Sequence, residues 1–309
     1  NPALDLATTT AQVAPTHKLR CGPVQRFAGG GGINVARVLH RLGADVLAWA
    51  LAGGAAGAQV RQLLADEGVP TALQAIAGDT RENFSVVETR TGQEFRFVLP
   101  GPTLQAAEWQ ACLDALAALP TPPRWLVASG SLPPGTPDDF YARLARTLSG
   151  QGVRVVIDTS GPPLAAALQA GVALVKPSLR ELRELVQQPL EQATDWCAAA
   201  QSLVHSGAAE TVALSLGEQG AVLATRAGVW QAPALNVPAT TGTTGAGDCF
   251  LAALVWALDR GDALAEALRW GVAAGAAALL HPGTALAQAG DLQRLVHSVP
   301  APVAVATQP

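Results

Sequence analysis

The sequence predicts an α/β fold in which helices flank a doubly wound, mostly parallel sheet, with a small antiparallel β lid over one edge. Two observations carry this prediction. From Arg124 onward, short apolar runs alternate with helical segments, which is the pattern of right-handed βαβ units. In the first hundred residues, strand-like segments alternate polar with apolar side chains, as half-exposed strands do. The 309 residues, 49% of them hydrophobic, can bury the core that such a fold needs.

The parallel sheet is predicted from short runs rich in Val and Leu, which are typical of buried strands. These runs are RWLVAS (124–129), VRVVID (153–158), ALVKPS (173–178) and TVALSLG (211–217). The helices predicted between them are PDDFYARLARTLSG, PPLAAALQAG, LRELRELV and the stretch 193–206. Two long helices are expected between Asp248 and Leu280, and a loose tail is expected over 300–309.

The β lid is predicted over about 6–30 and 80–101, and the α/β core over 31–79 and 102–299, within a single domain of residues 1–309. The lid strands are expected in KLRCGPVQRF (18–27), ENFSVVET (82–89) and GQEFRFVL (92–99), with TRTG as a hairpin turn between the last two. INVARVLHRL (33–42) has an apolar helical face and is followed by Gly43 as a stop signal. A lid over the edge of such a sheet would place a ligand between the two.

Composition excludes several classes of protein. The net charge of −4 argues against binding to duplex nucleic acid, which requires a basic face. No apolar run approaches the ~20 residues of a membrane span, and no signal peptide is visible. The four cysteines lie far apart without a CxxC pair, so we expect a cytoplasmic protein with free thiols. Because the chain opens on NPALD without a methionine, we expect a few residues to precede it.

The stretch TTGTTGAGDCFLAALVWAL (240–258) places a single carboxylate at the start of an otherwise apolar helix. Gly245, Ala246 and Gly247 leave backbone N–H groups accessible at the helix N-terminus, where the macrodipole favours anions. Asp248 follows in the first turn. An anion hole beside a base is the arrangement that phosphoryl transfer requires. The alternative, in which Asp248 only caps its helix, stays open at this point.

A second glycine cluster, GGGGINVAR (29–37), precedes the helix over 33–42. Consecutive glycines allow a ligand to approach the backbone closely, and Asn34 adds an amide in the first helical turn. The cluster lacks the Gly-Lys-Ser/Thr of a P-loop, and no strand leads directly into it as a dinucleotide fingerprint requires. A simple flexible loop stays open as the alternative.

These two clusters, about two hundred residues apart, resemble the ribokinase-like (PfkB) family of carbohydrate kinases. The resemblance covers nearly the whole chain and includes NPALD, GGGGINVAR, SGSLPPG, DTSG, VKPSLREL, LSLGEQGAV and TTGAGD in the family's order. Within the family it is closest to the minor type of bacterial 6-phosphofructokinase. Gly31 stands where fructose 1-phosphate and tagatose 6-phosphate kinases usually carry lysine, KLRC replaces their VNR, and FRFVLPG has the 6-phosphofructokinase form.

The resemblance implies ATP-dependent phosphorylation of fructose 6-phosphate at its C1 hydroxyl, with Mg²⁺ as cofactor, K⁺ as a further candidate, and a homodimer joined through the lid. Alternatives within the family are 1-phosphofructokinase, tagatose-6-phosphate kinase or a nucleoside kinase. An alternative of another class is a sugar-phosphate sensor that has lost catalysis.

Residue roles follow from the same resemblance. Asp248 would be the base for the C1 hydroxyl, with Gly245, Ala246 and Gly247 as the anion hole. The sugar hydroxyls would be held by Asp5, Gly30, Gly31, Gly32, Asn34 and Ser131, and the 6-phosphate by Lys18 and Arg81. The nucleotide would contact Lys176, Ser178, Arg180, Ser215, Gly217, Gly220, Thr243, Thr244 and His281. Glu181 would order the water shell of Mg²⁺, with Asp158 as a weaker candidate.

Two positions depart from the family pattern. Ser178 replaces the asparagine of the usual N-x-x-E motif, which puts its contacts with the metal and the phosphates in doubt. His281 replaces an asparagine expected near the adenine, and a helix-ending turn is the open alternative for His281-Pro282-Gly283.

Overall fold

The computed structural model describes residues 1–238 and 242–305. The strands are β1 (Ala3–Thr10), β2 (Gln25–Gly29), β3 (Ala48–Ala52), β4 (Thr71–Ala75), β5 (Arg81–Glu88), β6 (Glu94–Val98), β7 (Trp125–Ser129), β8 (Arg154–Asp158), β9 (Val172–Val175), β10 (Ala209–Ser215), β11 (Ala221–Thr225), β12 (Gly228–Ala232) and β13 (Val303–Val305). The helices are α1 (Gly31–Arg41), α2 (Gly54–Asp66), α3 (Ala106–Ala117), α4 (Phe140–Ser149), α5 (Gly161–Ala170), α6 (Leu179–Val186), α7 (Ala193–His205), α8 (Ala246–Asp259), α9 (Leu264–Ala278) and α10 (Ala289–Val296).

The main sheet of the described residues has seven strands in the order β13-β12-β11-β10-β9-β8-β7. The strands from β7 to β10 pair in parallel, as the apolar runs predicted. The strands from β10 to β13 pair antiparallel. Short turns reverse the chain between β10 and β11 and between β11 and β12, whereas β13 returns to β12 only after α8, α9 and α10. The sheet is therefore mixed, with its parallel half where βαβ units supply the crossovers.

Helices cover the two faces of this sheet. One apolar cluster joins α4, α5 and α7 to the sheet, and a second joins α8 and α9 to the sheet and to α1. The centre of α8 is apolar all round because it packs between these neighbours, with Leu251 and Leu254 fully buried. The two long helices expected between Asp248 and Leu280 are α8 and α9.

The β lid contains four strands among the described residues, in the order β2-β1-β5-β6. The pairs β1–β2 and β5–β6 are antiparallel, but β1 and β5 pair in parallel. The lid is therefore mixed, which corrects the expectation of an antiparallel lid. The physical reason is the long connection through α1, β3, α2 and β4, which returns the chain to the lid in its original direction.

Two further expectations are corrected. The strand predicted over 18–27 begins only at Gln25, since Pro23 lacks the N–H group that a ladder requires. The tail predicted to be loose over 300–309 contains β13, which supplies hydrogen-bonding partners to the edge of β12. Residues 306–309 of that tail, and residues 239–241, lie outside the described residues. No helix in the described part of the chain is long and apolar enough to cross a membrane.

Candidate active site

A cavity of about 320 Å³ lies where the lid meets the core. Its walls come from β1, β5 and β6 of the lid, from the carboxyl ends of β7 and β8, and from the start of α1 and α8. The predicted site residues that line it are Asp5, Gly30, Gly31, Asn34, Arg81, Ser131, Asp158, Glu181, Thr244, Gly245 and Asp248. The fold thus brings together residues from both ends of the chain.

Asp248 lies in the first turn of α8, and its carboxylate faces helix α1. Gly245 precedes the helix in the left-handed region (φ 78°), a conformation that suits glycine, and no side chain caps this helix end. Oδ2 of Asp248 accepts a hydrogen bond of 2.8 Å from Nδ2 of Asn34 in α1. The structure therefore shows no capping bond for Asp248 and places it beside the glycine cluster at the start of α1.

Burial raises the pKa of Asp248 to about 7, and the nearby charge of Asp158 acts in the same direction. The hydrogen bond from Asn34 and the charge of Lys176 oppose this increase. A carboxylate with a pKa near the working pH is suited to general-base catalysis, because it is partly deprotonated and still basic.

If Asp248 is the base, kcat/KM for the phosphate acceptor should rise with pH and level off above a midpoint near 7. The reason is that only the deprotonated carboxylate can accept a proton, and its raised pKa moves this requirement into the neutral range. Initial rates between about pH 5 and 9 at low acceptor concentration would measure the midpoint. A profile that is flat down to about pH 5 would contradict the assignment.

A positive charge lies close to the predicted anion hole at Gly245, Ala246 and Gly247. Nζ of Lys176 is 3.5 Å from the position that a Cβ atom on Gly247 would take. The ammonium also lies 3.0 Å from Oδ1 of Asp158, whose Oδ2 accepts a hydrogen bond from Ser129. Although burial lowers it, the charge and hydrogen bond of Asp158 hold the pKa of Lys176 above its ordinary value. Lys176 therefore stays charged beside the start of α8.

The glycine cluster is part of regular structure, so the flexible-loop alternative is not what the structure shows. Gly29 ends β2, and Gly31 and Gly32 begin α1. A side chain at Gly29 would overlap the carboxylate of Asp5, and one at Gly31 would overlap Ser129. Small residues are required here because the cavity wall passes this close to the backbone.

Asp5 is held by two partners from distant segments. Its Oδ1 accepts from Nδ2 of Asn83 at 2.9 Å, and its Oδ2 accepts from Oγ1 of Thr284 at 3.0 Å. Burial raises the pKa of Asp5, against these hydrogen bonds and the charges of Arg96 and Arg81. Asn83 and Thr284 line the cavity but had no sequence signal, since they lie 78 and 279 residues from Asp5.

Two arginines of the lid line the cavity, and only Arg81 was predicted. Arg81 donates to the backbone carbonyls of Leu99 and Asn1, and the Asn1 side chain donates to Ser131 Oγ. Arg96 in β6 makes no hydrogen bond or salt bridge with its side chain to the other described residues. The signal for Arg96 was available, because it is the polar residue inside the apolar run FRFVL.

Lys18 is not brought to the cavity in this chain. It lies in the exposed connection between β1 and β2, away from the lining residues. The expectation that it holds the sugar phosphate together with Arg81 stays a prediction. Regular pairing of β2 with β1 starts only at Gln25, and closer to Lys18 there is an isolated bridge between Cys21 and Thr10.

Four of the predicted nucleotide-binding residues lie around the carboxyl end of β10. Ser215 ends this strand, and Gly217 and Gly220 form the turn into β11. Gly220 has φ 93°, and a Cβ atom there would overlap the carbonyl oxygen of Ala232. Ser215 also forms a bridge with Ser178 at the start of α6. The structure thus joins the SLGEQG turn to the start of the SLRE helix.

The remaining nucleotide candidates differ in their surroundings. Thr243 and Thr244 precede α8, and the Thr244 hydroxyl is buried without a hydrogen-bonding partner among the described residues. Arg180 is largely exposed, 3.8 Å from Glu184. His281 follows α9, lies outside the cavity lining, and has Nε2 at 2.8 Å from Asp291 Oδ2. His281 thus lies in the turn after α9, and its contact with adenine stays a prediction.

The two metal candidates, Glu181 and Asp158, differ in how many of their carboxylate oxygens already have partners. Ser178 and Glu181 form a capping box: Glu181 Oε2 accepts from Ser178 N at 2.8 Å, and Ser178 Oγ accepts from Glu181 N at 3.3 Å. Glu181 Oε1 accepts no hydrogen bond from the described residues and lies 4.0 Å from the guanidinium of Arg180. Both oxygens of Asp158 already accept from Lys176 and Ser129. Glu181 therefore fits a metal or its water shell better than Asp158.

Within residues 1–238 and 242–305 there is no group of three or more His, Cys, Asp or Glu residues placed to hold a metal ion. Mg²⁺ in a nucleotide site does not require such a group, because it keeps several waters and binds through one or two carboxylates together with substrate phosphates.

A buried carboxylate, a glycine-flanked helix N-terminus and a lid around one small polar cavity are the arrangement expected of a phosphotransferase that acts on a small hydroxyl compound. The family model described as pfkB family carbohydrate kinase matches residues 2–289. The chain belongs to this family of kinases, and the predicted ribokinase-like α/β fold is confirmed.

Individual relatives agree with this membership. The ATP-dependent 6-phosphofructokinase isozyme 2 of Mycobacterium tuberculosis is 45% identical over 305 residues, which cover 99% of this chain and 89% of that protein. A 1-phosphofructokinase of Xanthomonas campestris is 36% identical over 264 residues, covering 84% of this chain and 82% of that protein. The structure of Escherichia coli phosphofructokinase-2 with substrates and products aligns with a TM-score of 0.92 and 40% identity, covering 96% of each chain.

Proposed function

We propose that this protein transfers the γ-phosphoryl group of ATP to the C1 hydroxyl of fructose 6-phosphate, giving fructose 1,6-bisphosphate. The observation that carries the proposal is the composition of one cavity. The core contributes Asp248, whose pKa is raised to about 7, beside the start of α8. The lid contributes Arg81 and Arg96, which suit a sugar phosphate because guanidinium groups bind phosphate through paired hydrogen bonds.

In the proposed reaction, Asp248 accepts the proton of the C1 hydroxyl as its oxygen bonds to the γ-phosphorus. The bond from this phosphorus to the bridging oxygen breaks, and ADP leaves. Backbone N–H groups at the start of α8 and the charge of Lys176 stabilise the negative charge on the transferred group. Mg²⁺ held near Glu181 would neutralise charge on the nucleotide phosphates when bound. The lid keeps water from the phosphoryl group.

Named relatives support fructose 6-phosphate over the other sugar phosphates. The isozyme 2 proteins named as 6-phosphofructokinases are 45% and 41% identical to this chain, against 36% for the 1-phosphofructokinase. Gly31 at the cavity wall, in place of a lysine, points the same way. A catalytically weak sensor is supported only by Ser178, and the site retains both Asp248 and Glu181.

The deciding experiment is a coupled assay with MgATP and each of fructose 6-phosphate, fructose 1-phosphate and tagatose 6-phosphate. We expect kcat/KM to be highest for fructose 6-phosphate, by about tenfold or more. Fructose 1-phosphate has no free C1 hydroxyl, and tagatose 6-phosphate has the opposite configuration at C4, which changes a hydroxyl that the site would bind. Preference for fructose 1-phosphate would establish the 1-phosphofructokinase alternative. Binding of a sugar phosphate without turnover would establish the sensor.

The Ser178–Glu181 capping box leads to a prediction about Mg²⁺. Glu181→Ala should raise the Mg²⁺ concentration for half-maximal rate by roughly 10-fold or more, as loss of a supporting metal contact does. Ser178→Asn should lower it, because asparagine can still cap α6 and its longer amide reaches further toward the metal-bound phosphates. The measurement is a Mg²⁺ titration of initial rate at fixed MgATP.

Glu184→Ala is the matched control for this titration, since Glu184 lies on the same helix and pairs with the same Arg180. It should behave like the wild-type protein. Equal behaviour of Glu181→Ala and Glu184→Ala would remove the metal assignment and strengthen the sensor alternative.

We also propose that two chains associate through their lids. The lid exposes Leu19, Val24, Phe97, Val98 and Leu99, of which Val98 is 58% exposed. An exposed sheet with this many apolar side chains is a favourable surface for association. Single-chain mass by light scattering at working concentration would contradict the proposal. Val24→Asp should shift the protein towards monomer, and Leu47→Asp, exposed but outside the lid, should not.

Several coarser features complete the proposal. The chain is proposed to act as one kinase domain with the lid over about 6–30 and 80–101 and the core over 31–79 and 102–299. A cytoplasmic location is proposed, because its cysteines within the described residues are free thiols. K⁺ is proposed as an activating cation because Escherichia coli phosphofructokinase-2 was solved in complex with potassium. Replacement of K⁺ by choline in the assay tests this.

A further inference from the structure

Arg37 is a buried charge that the proposed reaction does not use. It lies on α1 with a side chain only 1% exposed. Its Nη2 lies 2.6 Å from Glu67 Oε1, and its Nε donates to both oxygens of that carboxylate. Arg41, one turn later, donates from Nη2 to Glu67 Oε2 at 3.0 Å. A buried guanidinium is stable only with such complete pairing, so each of its contacts restrains a neighbouring segment.

The remaining contacts of Arg37 reach the two segments that border Asp5. Its Nη1 donates to the carbonyl oxygen of Ala28 at 3.0 Å and to that of Thr284 at 2.9 Å. Thr284 is the residue whose hydroxyl donates to Asp5 Oδ2. Ala28 precedes Gly29, which lies directly against the same carboxylate. One nitrogen of Arg37 thus restrains both walls of the Asp5 carboxylate.

Arg41 restrains the same segment just beyond Thr284. Its Nη1 donates to the carbonyl oxygens of Ala285 at 2.8 Å and Ala287 at 3.2 Å. Glu67 connects the two arginines, and their hydrogen bonds and charges hold its pKa below the ordinary value although burial opposes this. The three side chains therefore act as a single charged unit beneath the cavity wall.

We propose that Arg37, supported by Glu67 and Arg41, is a positioning residue for sugar binding that orients Asp5 through Ala28 and Thr284. The inference rests on the proposed function, because it assigns Asp5 to the hydroxyl groups of the phosphorylated sugar. Arg37 itself does not touch the substrate. Its effect is transmitted by the two backbone carbonyls and should disappear when Asp5 no longer carries a charge to be oriented.

The test compares Arg37→Lys with a matched control, Arg269→Lys. Arg269 also pairs with a carboxylate, Glu266, and donates to one backbone carbonyl, that of Val296, but it lies outside the cavity lining. Lysine keeps the charge, but its donors share one nitrogen and lack the planar fork with which Arg37 reaches the carboxylate on one side and two carbonyls on the other. Arg37→Lys should raise KM for fructose 6-phosphate about tenfold and leave KM for MgATP within about twofold. Arg269→Lys should lower the melting temperature without changing either KM.

A double-mutant cycle with Asp5→Asn separates positioning from general loss of structure. In the Asp5→Asn protein, Arg37→Lys should change KM for the sugar by no more than about twofold, because both changes act on the same carboxylate. Additive effects, or equal changes in both KM values, would overturn the proposal. If Arg37→Lys does not fold, Glu67→Gln, at the more exposed end of the unit, takes its place in the same cycle with the same expected non-additivity. Absence of turnover by the wild-type protein would instead refute the proposed function.

Discussion

Replacing Asp248 with asparagine is expected to lower kcat by roughly 10²–10⁴-fold while sugar binding and the fold are retained. Asparagine has nearly the shape of aspartate but cannot accept the proton of the C1 hydroxyl. Asn34 can still pair with the new amide through its own oxygen, which is buried and has no partner among the described residues at present. The measurement is kcat from steady-state rates, together with fructose 6-phosphate binding by calorimetry.

The same substitution should make the protein more stable at neutral and alkaline pH. The folded-state pKa of Asp248, about 7, lies above its ordinary value of 3.8. Between these values the folded protein retains a proton that the unfolded chain has released, so stability falls as pH rises through this window. Asp248→Asn removes this cost, and its melting temperature should exceed that of the wild-type protein at about pH 8 but not at about pH 4.

These two results together distinguish a catalytic base from a structural carboxylate. A variant that kept a rate within a few-fold of wild type would show that Asp248 has no role as the base. A variant with a lower melting temperature at about pH 8 would show that the buried charge is stabilising in its present surroundings, contrary to the raised pKa.

Removing the charge of Arg96 should weaken binding of the sugar phosphate by about 10- to 100-fold, because hydrogen bonds between charged groups contribute roughly 1.5–3 kcal/mol. Arg96 lines the cavity and its side chain has no hydrogen bond or salt bridge with the described residues, so its donors are available to a ligand. In Arg96→Gln we expect KM for fructose 6-phosphate to rise by this factor, with KM for MgATP unchanged.

Arg90→Gln is the control for Arg96→Gln, since Arg90 is also an exposed lid arginine but lies in the hairpin turn outside the cavity lining. It should leave KM for fructose 6-phosphate within about twofold. Equal effects of the two substitutions would mean that the lid attracts the phosphate only through its overall charge, and the specific role of Arg96 would be lost.

Local patterns predicted most of the elements of the core. The strands β7, β8 and β10 and the helices α4 to α9 lie where the apolar runs and the helical periodicity predict them. Each of these patterns depends only on which face of a single segment is buried. The weak points were segments without a clear period, such as residues 18–24 of the lid. The parallel pairing of β1 with β5 depends on the path of about seventy intervening residues, which no local pattern contains.

By itself the sequence determined the chemical groups of the site: the glycine cluster at the start of α1, the glycine and aspartate at the start of α8, and the pair Ser178 and Glu181 at the start of α6. These features are local, since a helix terminus and its first turn involve only a few consecutive residues. Only the tertiary structure decided which groups meet. Asn34 reaches Asp248 across 214 residues, and Arg37 reaches Thr284 across 247. A buried polar side chain forms a hydrogen bond with a partner that the packing brings within reach, because a buried polar group without a partner destabilises the folded state.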